Sequence, residues 1–367
     1  MHPWYTINHI NTIDSPALVV YPERVKENIR LLIQMAGDVA LLRPHVKTHK
    51  MAEVSRLLLN AGITKFKCAT IAEAEMLASV KAPDVLIAHQ PTGPKINRII
   101  QLISVFPETR FSCIIDNPET ANEISHYCKE AGKKIESFID LNIGMNRSGI
   151  VPEKALQLFK DCQGLDGLSI IGLHAYDGHI RDTDLKERRK KSDEAFAKVD
   201  WLLQELKELS DTRFQVVAGG SPSFPTHTKR KNVQYSPGTF VFWDWGYKHQ
   251  LPDEPFEYAA LVITRIISVI DEETICTDLG HKAVAAETPL PRVHFLNAPD
   301  TIPIAQSEEH LVVKVPAGSQ FKVGDVWYGV PVHICPTVAV YQEAAVVENQ
   351  EVTGNWKVIA RNRRITV

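Results

Sequence analysis

Residues 40–50 read Ala-Leu-Leu-Arg-Pro-His-Val-Lys-Thr-His-Lys. A short apolar run, Val39 to Leu42, feeds a dense polar cluster of Arg43, His45, Lys47, His49 and Lys50. Lysine is seldom fully buried without a partner, so such a cluster at the end of a buried strand demands a reason. In α/β proteins chemistry collects at the carboxyl ends of parallel strands. A lysine held there, partly desolvated and beside Arg43, is expected to have a lowered amine pKa and to serve as a nucleophile. The same residues also fit a basic turn leading into an amphipathic helix. His45 and His49 stand four apart, as in a helical metal pair, but Pro44 opposes a helix there and no Glu lies between them.

Working outward, strand-like and helix-like segments alternate. Expected strands cover 40–47, 66–70, 84–89, 111–116, 135–142, 168–175 and 214–218, with an eighth near 233–241. Helical periodicity fills 51–61, 71–80, 94–105, 118–132, 152–164 and 186–209. Roughly eight alternations over about 230 residues favour a (β/α)8 barrel over an open doubly wound sheet. After about residue 255 the texture becomes β-rich, as in Ile266 to Ile270, Leu311 to Val315 and Trp356 to Ala360. The expected division is a barrel over 21–255 and an all-β domain over 1–20 with 256–367.

Composition narrows the function classes. The 367 residues are 44% hydrophobic and 23% charged, an ordinary globular mixture. A formal net charge of −3 offers no electrostatic case for nucleic acid or membrane binding. No apolar run approaches a bilayer span, and Met1-His2-Pro3-Trp4-Tyr5 lacks the basic and apolar regions of a signal peptide. A cytoplasmic location is the expectation. The six cysteines are scattered, with no CxxC pair, so reduced core thiols are expected. The basic run Lys186 to Lys191 reads as a solvated helix face.

Five further stretches carry polar chemistry. Asp140 to Gly149, Asp-Leu-Asn-Ile-Gly-Met-Asn-Arg-Ser-Gly, ends another expected strand and offers Arg147, which taken alone suits a structural salt bridge. Gly172 to His179 places His174, Tyr176 and His179 about one strand end. Val216-Val-Ala-Gly-Gly-Ser-Pro-Ser223 is a strand feeding a small-residue loop whose N–H groups and hydroxyls suit a phosphate dianion. Tyr235-Ser-Pro-Gly-Thr239 adds a second Gly-Thr turn. In His333-Ile-Cys-Pro-Thr337 the imidazole and thiol are two apart, so on an extended segment they face the same way. That pair is either an accident of sequence or half of a Zn²⁺ site.

Arg-Pro-His-Val-Lys-Thr-His-Lys, at 43–50, resembles the lysine motif of the D-threonine aldolase and D-serine dehydratase family, within the alanine-racemase-like group of pyridoxal phosphate (PLP) enzymes. The resemblance runs from this motif through Cys335, with the motifs in the family's order. It implies a PLP-binding (β/α)8 barrel plus a C-terminal all-β domain. Lys47 matches the lysine that carries PLP as a Schiff base, with His45 and Tyr176 as further catalytic candidates. Arg147 matches the arginine at the cofactor's phenolic oxygen, and Tyr176 a tyrosine close to its ring. Gly219, Gly220 and Ser221, with Gly238 and Thr239, match the phosphate-binding turns. His333 and Cys335 match a divalent-metal pair, where the thiol favours Zn²⁺ over Mn²⁺ or Mg²⁺.

The implied reaction acts on a small D-amino acid bearing a β-hydroxyl, with the metal as Lewis acid on that oxygen. Breaking Cα–Cβ gives glycine and an aldehyde, an aldolase. Removing the α-proton and expelling the hydroxyl gives a keto acid and ammonia, a dehydratase. Cys335 leans towards dehydratase members, whereas the Tyr-Asp-Gly-His and Gly-His-Lys-Ala-Val stretches resemble the D-threonine-aldolase branch, which leads here. A racemase has no need of the metal pair, and a non-catalytic PLP-binding regulator has no need of the β-domain. The fold group implies a homodimer.

Overall fold

A computed structural model describes residues 3–367. The chain forms two compact units. Leu32–Lys47, Ser55–Gly238 and Asn362–Val367 make one; the residues up to Leu31, Thr48–Val54 and Thr239–Arg361 make the other.

Regular structure opens with β1 (Ala17–Val20) and α1 (Pro22–Ala36). There follow α2 (Ala52–Asn60), β2 (Lys65–Cys68), α3 (Ile71–Ser79), β3 (Asp84–Ile87), α4 (Pro94–Val105), β4 (Arg110–Ile115) and α5 (Pro118–Glu130). Next come β5 (Ile135–Leu141), α6 (Pro152–Asp161), β6 (Leu168–Ala175), α7 (Leu185–Leu209), β7 (Gln215–Ala218), α8 (Phe224–His227) and β8 (Val233–Tyr235). Strands β2 to β8 pair in chain order, every pair parallel. Helix starts are written locally. Pro94, Pro118 and Pro152 each stand in a first turn, where a missing N–H costs nothing. Thr70 Oγ1 accepts from Glu73 N at 3.1 Å to cap α3, and the Glu73 carboxylate reaches back to Ala69 N at 2.6 Å.

The expectation of a strand over 40–47 needs correction. Val39–Leu41 is a 3-10 turn, and the residues after it make only isolated parallel bridges, Leu42 to Tyr235 and His45 to Lys67. Pro44 is the cause, because it has no N–H to give a ladder. Its carbonyl still accepts from Lys67 N at 2.9 Å, while Arg43 N and His45 N reach the carbonyls of Tyr235 (2.8 Å) and Pro237 (2.9 Å). These bonds join β8 to β2, so the sheet closes into a (β/α)8 barrel with one irregular stave. The last strand is also shorter than expected: it stops at Tyr235, and Thr239–Val241 is a 3-10 turn. Leu86, Ile114, Phe138 and Val217, from four different strands, pack together as a core cluster. Full burial of such side chains is worth roughly 1.5–3 kcal/mol each. The basic run on α7 is not wholly solvated, since Arg188 is fully buried and donates to the Asp182 carbonyl at 2.8 Å.

The second unit adds α9 (Trp245–Gln250), β9 (Ala260–Asp271), β10 (Thr274–Thr277), β11 (Val293–Phe295), β12 (Ile302–Gln306) and β13 (Leu311–Lys314). It ends with β14 (Val326–Pro331), α10 (Ile334–Val340), β15 (Glu343–Glu348) and β16 (Glu351–Lys357). Its sheet runs β12-β13-β10-β9-β1-β15-β16, with β14 also on β9 and β11 on β14. All pairs are antiparallel except β1 with β15. Val19, Leu261, Ile263, Tyr328, Val330 and Val347 bury its core, so the amino-terminal strand is part of this sheet. Among the described residues no helix is long and apolar enough to cross a membrane.

Candidate active site

In the barrel, three basic side chains gather about one aromatic ring. Lys47 Nζ, Lys67 Nζ and Arg147 Cζ lie 6.0, 5.5 and 5.1 Å from the centroid of Tyr176. The elements explain why. Tyr176 follows the last residue of β6, Lys67 is the penultimate residue of β2, and Lys47 ends the irregular stave. Each sits at a carboxyl-terminal strand end, and Arg147 comes from the loop after β5. His45 is tied to the same stretch, its Nδ1 accepting from Lys47 N at 3.2 Å.

The expected environment of Lys47 is corrected here. Lys47 is exposed, not desolvated. Arg43 is 1% exposed and turns away into an ion pair with Asp84 at 2.6 Å and a bond to Gln234. Burial falls instead on Lys67, which sequence reading passed over. Burial first, then the charge of Lys47, pushes the Lys67 amine down to about 7 against the pull of Asp140 and Asp177. Its Nζ lies 3.4 Å from His174 Nε2, and His174 Nδ1 lies 2.7 Å from Asp140 Oδ1. Burial and the nearby Lys67 hold the His174 imidazole below its usual value despite Asp140. The signal was legible: β2 reads Lys-Phe-Lys-Cys, and a lysine inside a buried parallel strand is out of place.

The glycine loop after β7 lies against the same tyrosine. A Cβ on Gly220 would stand 2.8 Å from Tyr176 Cε2, and Gly219 adopts φ +77, so neither position takes a side chain at ease. Ser221 Oγ accepts from Gly238 N at 3.2 Å, joining the two turns. Behind the loop, Ser223 Oγ donates to Asp177 Oδ1 at 2.5 Å and also accepts from Gly220 N at 3.2 Å. Asp177 Oδ2 meets His227 Nε2 at 2.9 Å. Burial is the largest influence on the Asp177 carboxyl and pushes it up, yet His227 and Ser223 together hold it below the usual carboxylate range. Buried Ser236 Oγ, beside this loop through Ser236 N to Ala218 O, has no partner. His179 is exposed and stands over Gly144, away from the ring cluster's named contacts.

These residues fit PLP, an anionic aldehyde. An accessible amine, a guanidinium, an aromatic ring, a side-chain-free loop and an orphaned buried hydroxyl stand in one neighbourhood.

The second unit holds the other expected pair. His333 and Cys335 do not lie on an extended segment: His333 is the N-cap of α10 and Cys335 falls in its first turn. Pro336 suits that first turn for the reason given for the other helix starts. Buried Asp244 anchors the turn, accepting from Tyr247 N at 2.8 Å and Ile334 N at 3.1 Å, and burial pushes its carboxyl up to about 6. His333 Nδ1 is taken by Glu287, which leaves Nε2 as the ring nitrogen for a metal. Burial pushes this imidazole down, but Cys335, Asp244 and Glu287 hold it up at about 9. Cys335 Sγ lies 3.1 Å from Thr48 Oγ1 and 3.5 Å from Thr239 Oγ1. Thr239, expected at the phosphate, is thus placed beside this thiol. A histidine braced by a carboxylate and a neighbouring thiol is a donor set that suits Zn²⁺. Among the described residues no group of three or more His, Cys, Asp and Glu side chains is arranged to hold an ion.

Residues 20–243 match the family of the alanine racemase N-terminal domain, and residues 259–347 match a serine dehydratase domain. The D-threonine aldolase of an Arthrobacter species is 27% identical over 95% of this chain and 93% of its own. The 3-hydroxy-D-aspartate aldolase of Paracoccus denitrificans is 26% identical over 96% of this chain and 93% of its own. The crystal structure of the D-threonine aldolase from Filomicrobium marinum superposes with a TM-score of 0.89, at 25% identity, over 98% of this chain and 99% of that one.

Proposed function

Because this chain belongs to the family of the alanine racemase N-terminal domain, we propose that it is a PLP-dependent lyase of D-β-hydroxy amino acids, cleaving D-threonine to glycine and acetaldehyde. The observation that carries the reading is the collar of Lys47, Lys67 and Arg147 about Tyr176, above a glycine loop that no side chain fills. PLP bound there supplies the electron sink for charge released at the substrate's Cα. Lys47 supplies the amine that holds the aldehyde, and His45 fixes the backbone that carries it. Arg147, 5.1 Å from the centroid of the Tyr176 ring, would answer the cofactor's phenolic oxygen. Gly219, Gly220, Ser221 and Gly238 offer the phosphate a cradle of backbone and hydroxyl. His333 and Cys335 would hold a divalent cation, Zn²⁺ by preference of the thiol, and that cation would supply Lewis acidity towards a hydroxyl oxygen.

The alternative is a D-serine dehydratase, favoured by the match of residues 259–347 to a serine dehydratase domain. The two reactions need a base at different protons, the hydroxyl or the α-hydrogen, and they release different products. Protein loaded with PLP and Zn²⁺ is incubated with D-threonine and D-serine separately and the products are weighed. Glycine with acetaldehyde supports the aldolase; 2-oxobutanoate or pyruvate with ammonia transfers the assignment to the dehydratase. No product from either removes the lyase reading. The working form is taken to be a homodimer, which sedimentation at the mass of two chains would support and of one chain would refute.

A further inference from the structure

The chemistry proposed above leaves one lysine of the barrel unused. Lys67 is 2% exposed, and its Nζ lies 3.4 Å from His174 Nε2. Asp140, 2.7 Å from His174 Nδ1, is an acceptor when ionised, so Nδ1 carries the ring hydrogen, Nε2 keeps its lone pair and Lys67 donates. Ser148 Oγ donates to the other Asp140 oxygen at 3.1 Å, which fixes the carboxylate. In the sheet order β3, β4 and β5 separate β2 from β6, so this chain of bonds crosses the barrel interior. Its amine end faces the Tyr176 ring that Lys47 also faces.

We propose that Lys67 is a second functional lysine, an acid–base group that exchanges a proton with whatever is bound beside Tyr176, its amine aimed by His174 and Asp140. The exchange balances simply. As a base, the neutral amine takes a proton from a bound X–H and becomes ammonium while X keeps the electron pair; the reverse step returns the proton. The inference deepens the lyase reading, on which it rests only for the identity of X.

The groups that face Lys67 give it the range to do this. Lys47 and Arg43 disfavour its charge, as burial does most strongly, while Asp140 and Asp177 favour it, and the balance falls at about 7. His174, whose imidazole burial and Lys67 hold below its usual value, and Arg147, whose charge acts the same way on it, complete the surroundings. A lysine that merely filled space would need neither an acceptor aimed by a carboxylate nor a place on the ring shared with Lys47.

Two measurements test this. In protein labelled at lysine Cε with ¹³C and loaded with PLP, the resonance absent from a Lys67→Met variant is followed with pH. A midpoint near 7 is expected, and one within a unit of the ordinary 10.5 overturns the proposal. The kcat–pH profile on D-threonine is expected to lose its limb near 7 in Lys67→Met, with kcat lowered on the order of 100-fold and KM changed much less. An unchanged limb overturns it. If the variant does not fold, Lys67→Arg, always protonated, is expected to abolish the same limb, and the ¹³C titration of the unaltered protein, assigned through that variant, decides alone. Should no D-amino acid be turned over while Lys67 titrates near 7, the lyase reading fails and the working lysine stands.

Discussion

Gly220 and Lys67 show how much of this barrel depends on single atoms. At Gly220 an added methyl meets the Tyr176 ring at 2.8 Å, inside any real contact. Gly220→Ala is therefore expected to push Tyr176 from its place among the basic side chains, at a cost of roughly 1–3 kcal/mol. Urea denaturation measures the cost, and a weaker spectroscopic titration with PLP measures the displaced ring. Lys67 makes a prediction of opposite sign. Its amine is held at about 7 in the fold and near 10.5 when unfolded, so between those values the unfolded chain binds the extra proton. Stability contributed by this group is thus lowest below pH 7 and is recovered as pH rises towards 10.5. The unfolding free energy of the native chain should rise over that window relative to Lys67→Met, and parallel curves would refute the lowered pKa.

At the scale of elements, the alternation of strands and helices was legible because each leaves a local record. Pro94, Pro118 and Pro152 mark helix starts, and the apolar runs of β5 and β6 mark buried strands. The stave over 42–46 was legible only as an apolar run, because its bonding is set by Pro44 and by partners at Lys67 and Tyr235, far away in sequence. The His333/Cys335 segment misled for a related reason. Two residues apart means one face on a strand, but Asp244, some ninety residues earlier, caps this segment into α10. Helical geometry still leaves an imidazole and a thiol at one turn, braced by Glu287. Removing metal with a chelator is expected to abolish lyase activity, with Zn²⁺ restoring it. Cys335→Asp should shift the preference towards Mn²⁺ or Mg²⁺, as oxygen replaces sulfur. Equal restoration by all three metals in both proteins would contradict the role given to the thiol.

For the molecule as a whole, the order of motifs along the chain carried the family, and the fold and the 0.89 TM-score follow it. What sequence could not display was the division of labour among the basic residues of the barrel. Arg43 is spent on Asp84, Lys47 is exposed at a strand end, and Lys67, which sequence reading passed over, is buried against His174. That sorting depends on which way each side chain leaves a closed barrel, and closure rests on bonds between the two ends of the sheet. With two lysines about one tyrosine, the central question is which of them holds the cofactor. Borohydride reduction of the PLP-loaded protein, followed by peptide mass mapping, tests this directly. The phosphopyridoxyl group is predicted on Lys47 alone; finding it on Lys67, or on no lysine, would contradict the account.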